Sequence, residues 1–182
     1  MMTDSPSFVR SETLRNGLAV TIRELRADDR EKIASAVRKL DRESVYTRLF
    51  SYRNELTEAG LDRIMKVDPA GDAALVVTVG DGPEEIIIAS GRYMLSTASP
   101  GERTAEVAFA VEEDYQGLGI ASRLLRHLAD VGRERGIAAL EADVLGENKS
   151  MLAVFARSGL PMRKRQDGGT VHVTLSLRDT QA

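Results

Sequence analysis

The chain has 182 residues, 42% of them hydrophobic, with Lys+Arg 25 against Asp+Glu 28 and a formal net charge of -3. That balance excludes the broad basic surface of a general nucleic-acid binder, and no apolar run approaches the roughly 18 residues needed to cross a membrane. With no cysteine and only His127 and His172, disulfides, cysteine nucleophiles and a conventional zinc site are excluded. The start, MMTDSPSFVR, lacks the plan of a signal peptide, so a cytoplasmic domain is expected.

Residues 1–17 are polar and read as an irregular segment closing on the turn signal Asn16-Gly17. Alternation over Leu18–Leu25 predicts a first strand. Asp28 or Asp29 can cap a helix carrying Ile33, Ala36, Val37 and Leu40. A short helix is expected to carry Val45, Tyr46, Leu49 and Phe50, and another to begin near Thr57 and stop before Pro69. Ala74–Val79 and Glu85–Met94 flank Gly80-Asp81-Gly82-Pro83 as a hairpin, and Thr104–Glu112 follows as a strand. A long amphipathic helix spans about Gly119–Arg135, then a strand over Ala138–Val144 and a helix marked by Met151, Leu152 and Phe155. Two strands around Asp167-Gly168-Gly169 finish at Leu177, leaving 178–182 as a tail. The order predicts one α+β domain over 18–177, a mixed and mostly antiparallel sheet of about seven strands flanked by helices.

The most informative segment is Val111–Ala121, VEEDYQGLGIA, in which a strand ends, a glycine-bearing loop follows and a helix starts at once. First-turn amides lack internal partners and can bind an anion, and glycines let a phosphate approach the backbone. Gly117 and Gly119 are equally what a tight strand-to-helix turn requires. Ser122 at the third glycine position and the missing Gly-Lys-Ser/Thr exclude a dinucleotide fingerprint and a Walker A loop.

Gln116-Gly117-Leu118-Gly119-Ile120-Ala121 resembles the Q/R-x-x-G-x-G/A pyrophosphate loop of the GNAT superfamily of acetyl-CoA-dependent N-acetyltransferases. Ala105-Glu106-Val107-Ala108-Phe109 is similar to the glutamate-bearing strand of its lysine-acetylating members, and Asn148 through Gly159-Leu160 to its N-x-x-A…G-F segment. The likeness covers roughly 18–177. Glu43–Phe50 further resembles bacterial protein lysine acetyltransferases of the Pat type, some of which add a regulatory or ligase-like domain that is not expected within these 182 residues.

The resemblance implies a GNAT-like fold and acetyl-CoA as cosubstrate, without a metal. Main-chain groups of Val111 would orient the thioester arm. Gln116, Gly117, Leu118, Gly119, Ile120 and Ala121 would hold the pyrophosphate. Arg123 could reach a phosphate or stand as a solvated helix arginine, and Asn148 could bond the pantetheine or cap the last helix.

A lysine amine, with pKa about 10.4, must lose a proton before attack. Glu106 is the candidate base, and a strand apolar on both faces predicts partial desolvation of its carboxylate; the alternative leaves it a strand-end carboxylate in water or paired with an arginine such as Arg92 or Arg103. Many family members carry a tyrosine where this chain has Phe155, seven residues after Asn148, so the departing thiolate would have no phenol there to protonate it. Tyr93 and Tyr115 are the spare phenols. His127 reads as structural, and His172 as structural or as lining an acceptor groove. A protein lysine is the first expected acceptor and a polyamine, amino acid or aminoglycoside the second, with a noncatalytic acyl-CoA-binding module as the reading from another class. Relatives often pair, so a homodimer is compatible with the resemblance.

Overall fold

Leu18–Leu25 alternates as a strand should, but the sheet begins one strand earlier. In the computed structural model of the protein, which describes residues 7–39, 57–97 and 101–179, β1 (Val9–Thr13) pairs antiparallel with β2 (Ala19–Glu24). The expected irregular start is therefore a strand from Val9. Its sequence, VRSET, hides it, because an edge strand exposed on both faces needs no apolar alternation. The turn at Asn16-Gly17 forms as expected: Gly17 sits at φ 87°, and Asn16 Oδ1 accepts from the Leu18 N–H at 3.1 Å.

α1 (Arg30–Arg38) follows, and α2 (Glu58–Met65) is capped by Thr57, whose Oγ1 accepts from the Gly60 N–H at 3.1 Å. The expected helix over Val45–Phe50, and the Glu43–Phe50 likeness, lie outside the described residues. β3 (Ala73–Val79), β4 (Ile86–Leu95) and β5 (Thr104–Val111) run antiparallel in succession. α3 (Ile120–Glu134) then crosses to β6 (Ala139–Leu145), and α4 (Lys149–Ala156) leads to the hairpin of β7 (Met162–Asp167) and β8 (Thr170–Ser176).

Among the described residues the sheet has eight strands in the order β1-β2-β3-β4-β5-β6-β8-β7, and its one parallel pair is β5 with β6. α3 and α4 cover one face over a core of Leu75, Phe109, Leu124, Leu128, Leu140 and Phe155. α1 and α2 cover the other face through Ile33, Ala34 and Leu61 against Val76 and Ile87. On that side Arg23, 2% exposed, donates both Nη atoms to Asp29 at 2.8 Å and a further bond to Glu85 at 2.8 Å. Lys32 completes the cluster on Glu85 at 2.7 Å. No helix among the described residues is long and apolar enough to cross a membrane.

Candidate active site

β5 ends at Val111, a single turn over Glu113–Tyr115 follows, and Gly117 (φ 77°) and Gly119 (φ 83°, ψ 16°) carry the chain into α3. Both glycines occupy left-handed backbone that a side chain would strain. Gly119 is the N-cap of α3; no side chain caps it and no acid stands in the first turn. The amides of Ile120 and Ala121 thus open the helix toward any anion. Gln116 works differently: its N–H goes to the Glu113 carbonyl and its side-chain amide donates to the Val111 carbonyl, each at 3.2 Å. It braces the loop, and Leu118 packs against the core below.

Two guanidiniums flank Gly119. A Cβ built there would lie 3.0 Å from Arg123 Nη1 and 3.5 Å from Arg15 Nε. Arg123 is already committed, with Nε 2.9 Å from Glu12 Oε2 as an ion pair and Nη2 donating to the Thr13 carbonyl at 2.9 Å. Glu12 also bonds His127 and Arg126. Burial alone would push the Glu12 carboxyl up, but the His127 bond and the charges of His127, Arg126 and Arg123 hold it below its ordinary value. This cluster ties β1 to α3, which makes His127 structural. Arg15, exposed beside the loop, is the cation the sequence reading missed. Arg126, Arg133 and Arg157 also line a recess of about 360 Å³ between α3 and α4.

The second element of the site is a gap in the sheet. β5 and β6 pair over three rungs only, Thr104↔Ala139, Ala105↔Leu140 and Glu106↔Glu141. Beyond them, among the described residues, β5 pairs only with β4 and β6 only with β8, so a wedge opens toward the glycine loop and the start of α4. Phe109 and Phe155 pack beside it with ring centroids 6.3 Å apart. Phe155 is 1% exposed, so this position adds apolar wall. Asn148 Oδ1 accepts from the Met151 N–H at 3.2 Å, the capping role for α4.

Glu106 stands on the last paired rung, and its surroundings correct one expectation. The residue is exposed, where alternation predicted partial burial. Ala108 and Ala110 are small, and α1 and α2 reach over β5 at Ala108, Ala110 and Glu112 but not at Glu106. Neither alternative partner reaches Glu106: Arg92 donates to the Ile64 and Lys66 carbonyls at 3.0 Å, and Arg103 to the Ala70 carbonyl at 3.4 Å. Glu141 lies beside it in register, and His172 on β8 bonds Asp143 at 2.7 Å with its other nitrogen 4.0 Å from Glu141. Strand alternation puts Glu106, Glu141, Asp143 and His172 on one sheet face. The spare phenols are not available there. Tyr93 is fully buried, which pushes its hydroxyl pKa up, and Tyr115 packs on the core.

Comparison with known proteins follows this geometry. A model of the Acetyltransferase (GNAT) family matches residues 37–160. An acetyltransferase of Pseudomonas aeruginosa is 32% identical over 162 residues, covering 87% of this chain and 84% of that protein. Acetyltransferase Pat of Mycolicibacterium smegmatis is 32% identical over 159 residues, and there the match spans 87% of this chain but 46% of that protein. The crystal structure of the GNAT domain of S. lividans PAT superposes with TM-score 0.81 at 32% identity, covering 92% of this chain and 96% of that one.

Proposed function

The chain belongs to the GNAT acetyltransferase family and is an acyltransferase, and from that premise we propose that it acetylates a primary amine, first among them a protein lysine side chain, at the expense of acetyl-CoA. The observation that carries the reading is one continuous feature: an uncapped helix N-terminus at Gly119 opening onto a wedge that closes at Glu106. The amides of Gly117, Gly119, Ile120 and Ala121 hold the pyrophosphate, with Arg15 as counter-charge. Arg123 positions the loop through Glu12 and Thr13 rather than reaching the ligand itself. Gln116 sets the Val111 carbonyl beside the thioester arm.

Acetyl-CoA supplies the activated acetyl thioester. Glu106 accepts the proton of the acceptor ammonium, directly or through one water, and the free amine attacks the thioester carbonyl. The C–N bond forms as the C–S bond breaks and CoA leaves as its thiolate. A thiol pKa of about 8.5 lets that group depart without the phenol that Phe155 lacks. Glu106 is exposed on the last paired rung, where the acceptor ammonium can meet it, and its contribution to the proton transfer is positioning. The polar face around Glu106, with Glu141 and Asp143 beside it, suits a cationic side chain presented on a protein surface. A small amine is the second reading, favoured by the narrow rung at which the wedge closes.

The test is CoA thiol release from acetyl-CoA with lysine peptides, polyamines, amino acids and aminoglycosides as acceptors. Amine-dependent release that collapses in Glu106→Gln supports the reading and names the acceptor. Tight acetyl-CoA binding without release for any amine would replace it with a binding module.

A further inference from the structure

One buried carboxylate has no part in that chemistry. Glu112 follows Val111 at the end of β5 and is 8% exposed. Its N–H donates to the Ile88 carbonyl and its carbonyl accepts from the Tyr115 N–H, each at 2.9 Å, so the residue is fixed from both sides. Its side chain lines a cavity of about 70 Å³ between α1, α2 and strands β4 and β5, walled by Ile33, Val37, Ile64, Ala108 and Ala110. Oε2 is buried with no hydrogen-bond partner. Lys39, Glu113 and Asp114 line the adjoining recess, and none of them bonds that oxygen. Arg92, another lining residue, uses both Nη atoms on the Ile64 and Lys66 carbonyls and keeps Nε buried without an acceptor.

An orphaned buried carboxylate oxygen is costly, and a ligand that satisfies it is one reason for a protein to keep it. A divalent cation does not fit, because one carboxylate among aliphatic walls lacks the six or so oxygen ligands a hard ion takes. An ammonium on an apolar stem fits both parts of the cavity. The position is also telling. Glu106, Ala108 and Ala110 share one face of β5, and Glu112, one residue past its end, lines the same cavity as the two alanines, which lie between an exposed and a buried carboxylate. Six residues of extended backbone separate the two acids by roughly 20 Å.

We propose that this cavity binds a second positive charge of the acceptor, an ammonium carried on an apolar chain, with Glu112 as its counter-charge and Arg92 Nε bonding a carbonyl oxygen of the same ligand. The proposal rests on the acetyl-transfer reading, since it makes the acceptor a dication that spans Glu106 and Glu112. A peptide with a second lysine about six residues from the reactive one has that span.

Two measurements test it. In the first, hexylammonium chloride is titrated into the protein without acetyl-CoA and followed by NMR, with hexanol as the uncharged control. Hexylammonium is expected to shift the cavity residues, to bind at least tenfold more tightly than hexanol, and to lose that advantage in Glu112→Gln. Equal binding of both probes, or equal hexylammonium binding by the wild-type and Glu112→Gln proteins, overturns the proposal. Ala110→Leu, which fills the cavity from its floor, should abolish the shifts even if Glu112→Gln folds poorly. In the second, acceptor peptides carry lysine or norleucine about six residues from the reactive lysine. The lysine peptide is expected to have a KM at least tenfold lower, a gap that Glu112→Gln closes; the same KM for both peptides overturns the proposal. The two readings fail separately. Glu112-dependent hexylammonium binding without acetylation of any amine removes the transfer reading and leaves the site, whereas Glu106-dependent transfer indifferent to Glu112 does the reverse.

Discussion

The α1/α2 face of the sheet is treated in two ways along its width. Over β2 and its neighbours the charges are locked: Arg23 and Asp29 are buried, bonded twice to each other and tied to Glu85. Over β5–β8 the same face carries Glu106, Glu141, Asp143 and His172, where β5 and β6 part after three rungs. One half satisfies each charge internally and becomes rigid. The other leaves Glu106 toward solvent, where a substrate can meet it. The difference teaches that charge alone does not mark a site here; what marks it is charge at a place where strand pairing stops.

The sharpest break of that comparison is to exchange the roles of the two halves by mutation. Glu106→Gln is expected to lower turnover by about 10²–10⁴-fold while the melting temperature and acetyl-CoA affinity hold, measured by thiol release, calorimetry and isothermal titration. A large stability loss would place Glu106 among the structural charges. Arg23→Met should do the opposite. It strands Asp29, which is 1% exposed, and is expected to cost about 3–5 kcal/mol in denaturant unfolding, with acetyl-CoA affinity of the folded protein unchanged.

Acid sharpens the contrast next. The hydrogen bond from Arg23, with the Lys32 bond and both charges, outweighs desolvation and holds the Glu85 carboxyl down to about 2 from 4.5. A depressed carboxyl contributes stability that is complete above its unfolded value and is lost as pH falls toward the folded one. Unfolding free energy should therefore decline between about pH 4.5 and 2, and Glu85→Gln should lose about 1.5–3 kcal/mol at neutral pH and flatten that slope. A slope identical in both proteins would remove Glu85 from the locked half.

The smallest effect falls on the loop. Gly119→Ala forces a side chain into φ 83° and a Cβ to 3.0 Å from Arg123 Nη1. The strain of about 1–2 kcal/mol should weaken acetyl-CoA binding by roughly tenfold. Gly117→Ala meets no atom within 4 Å, so any loss there reports backbone strain alone.

Among the described residues, sequence by itself determined the order of strands and helices from 18 onward, the loop at Gln116–Ala121 and the glutamate on the strand before it. Periodicity and glycine placement encode these locally, because strand alternation, helix spacing and positive φ are properties of neighbouring residues. Strand β1 escaped, since an exposed edge strand is defined by its partner and not by its own apolar pattern. Tertiary structure alone decided that Glu106 is exposed, that Arg123 is held by Glu12, that Arg15 stands beside Gly119 and that Glu112 is buried without a partner for Oε2. Each of these depends on which distant element lies across the sheet, and burial and charge pairing are settled only when residues far apart in the chain are packed together.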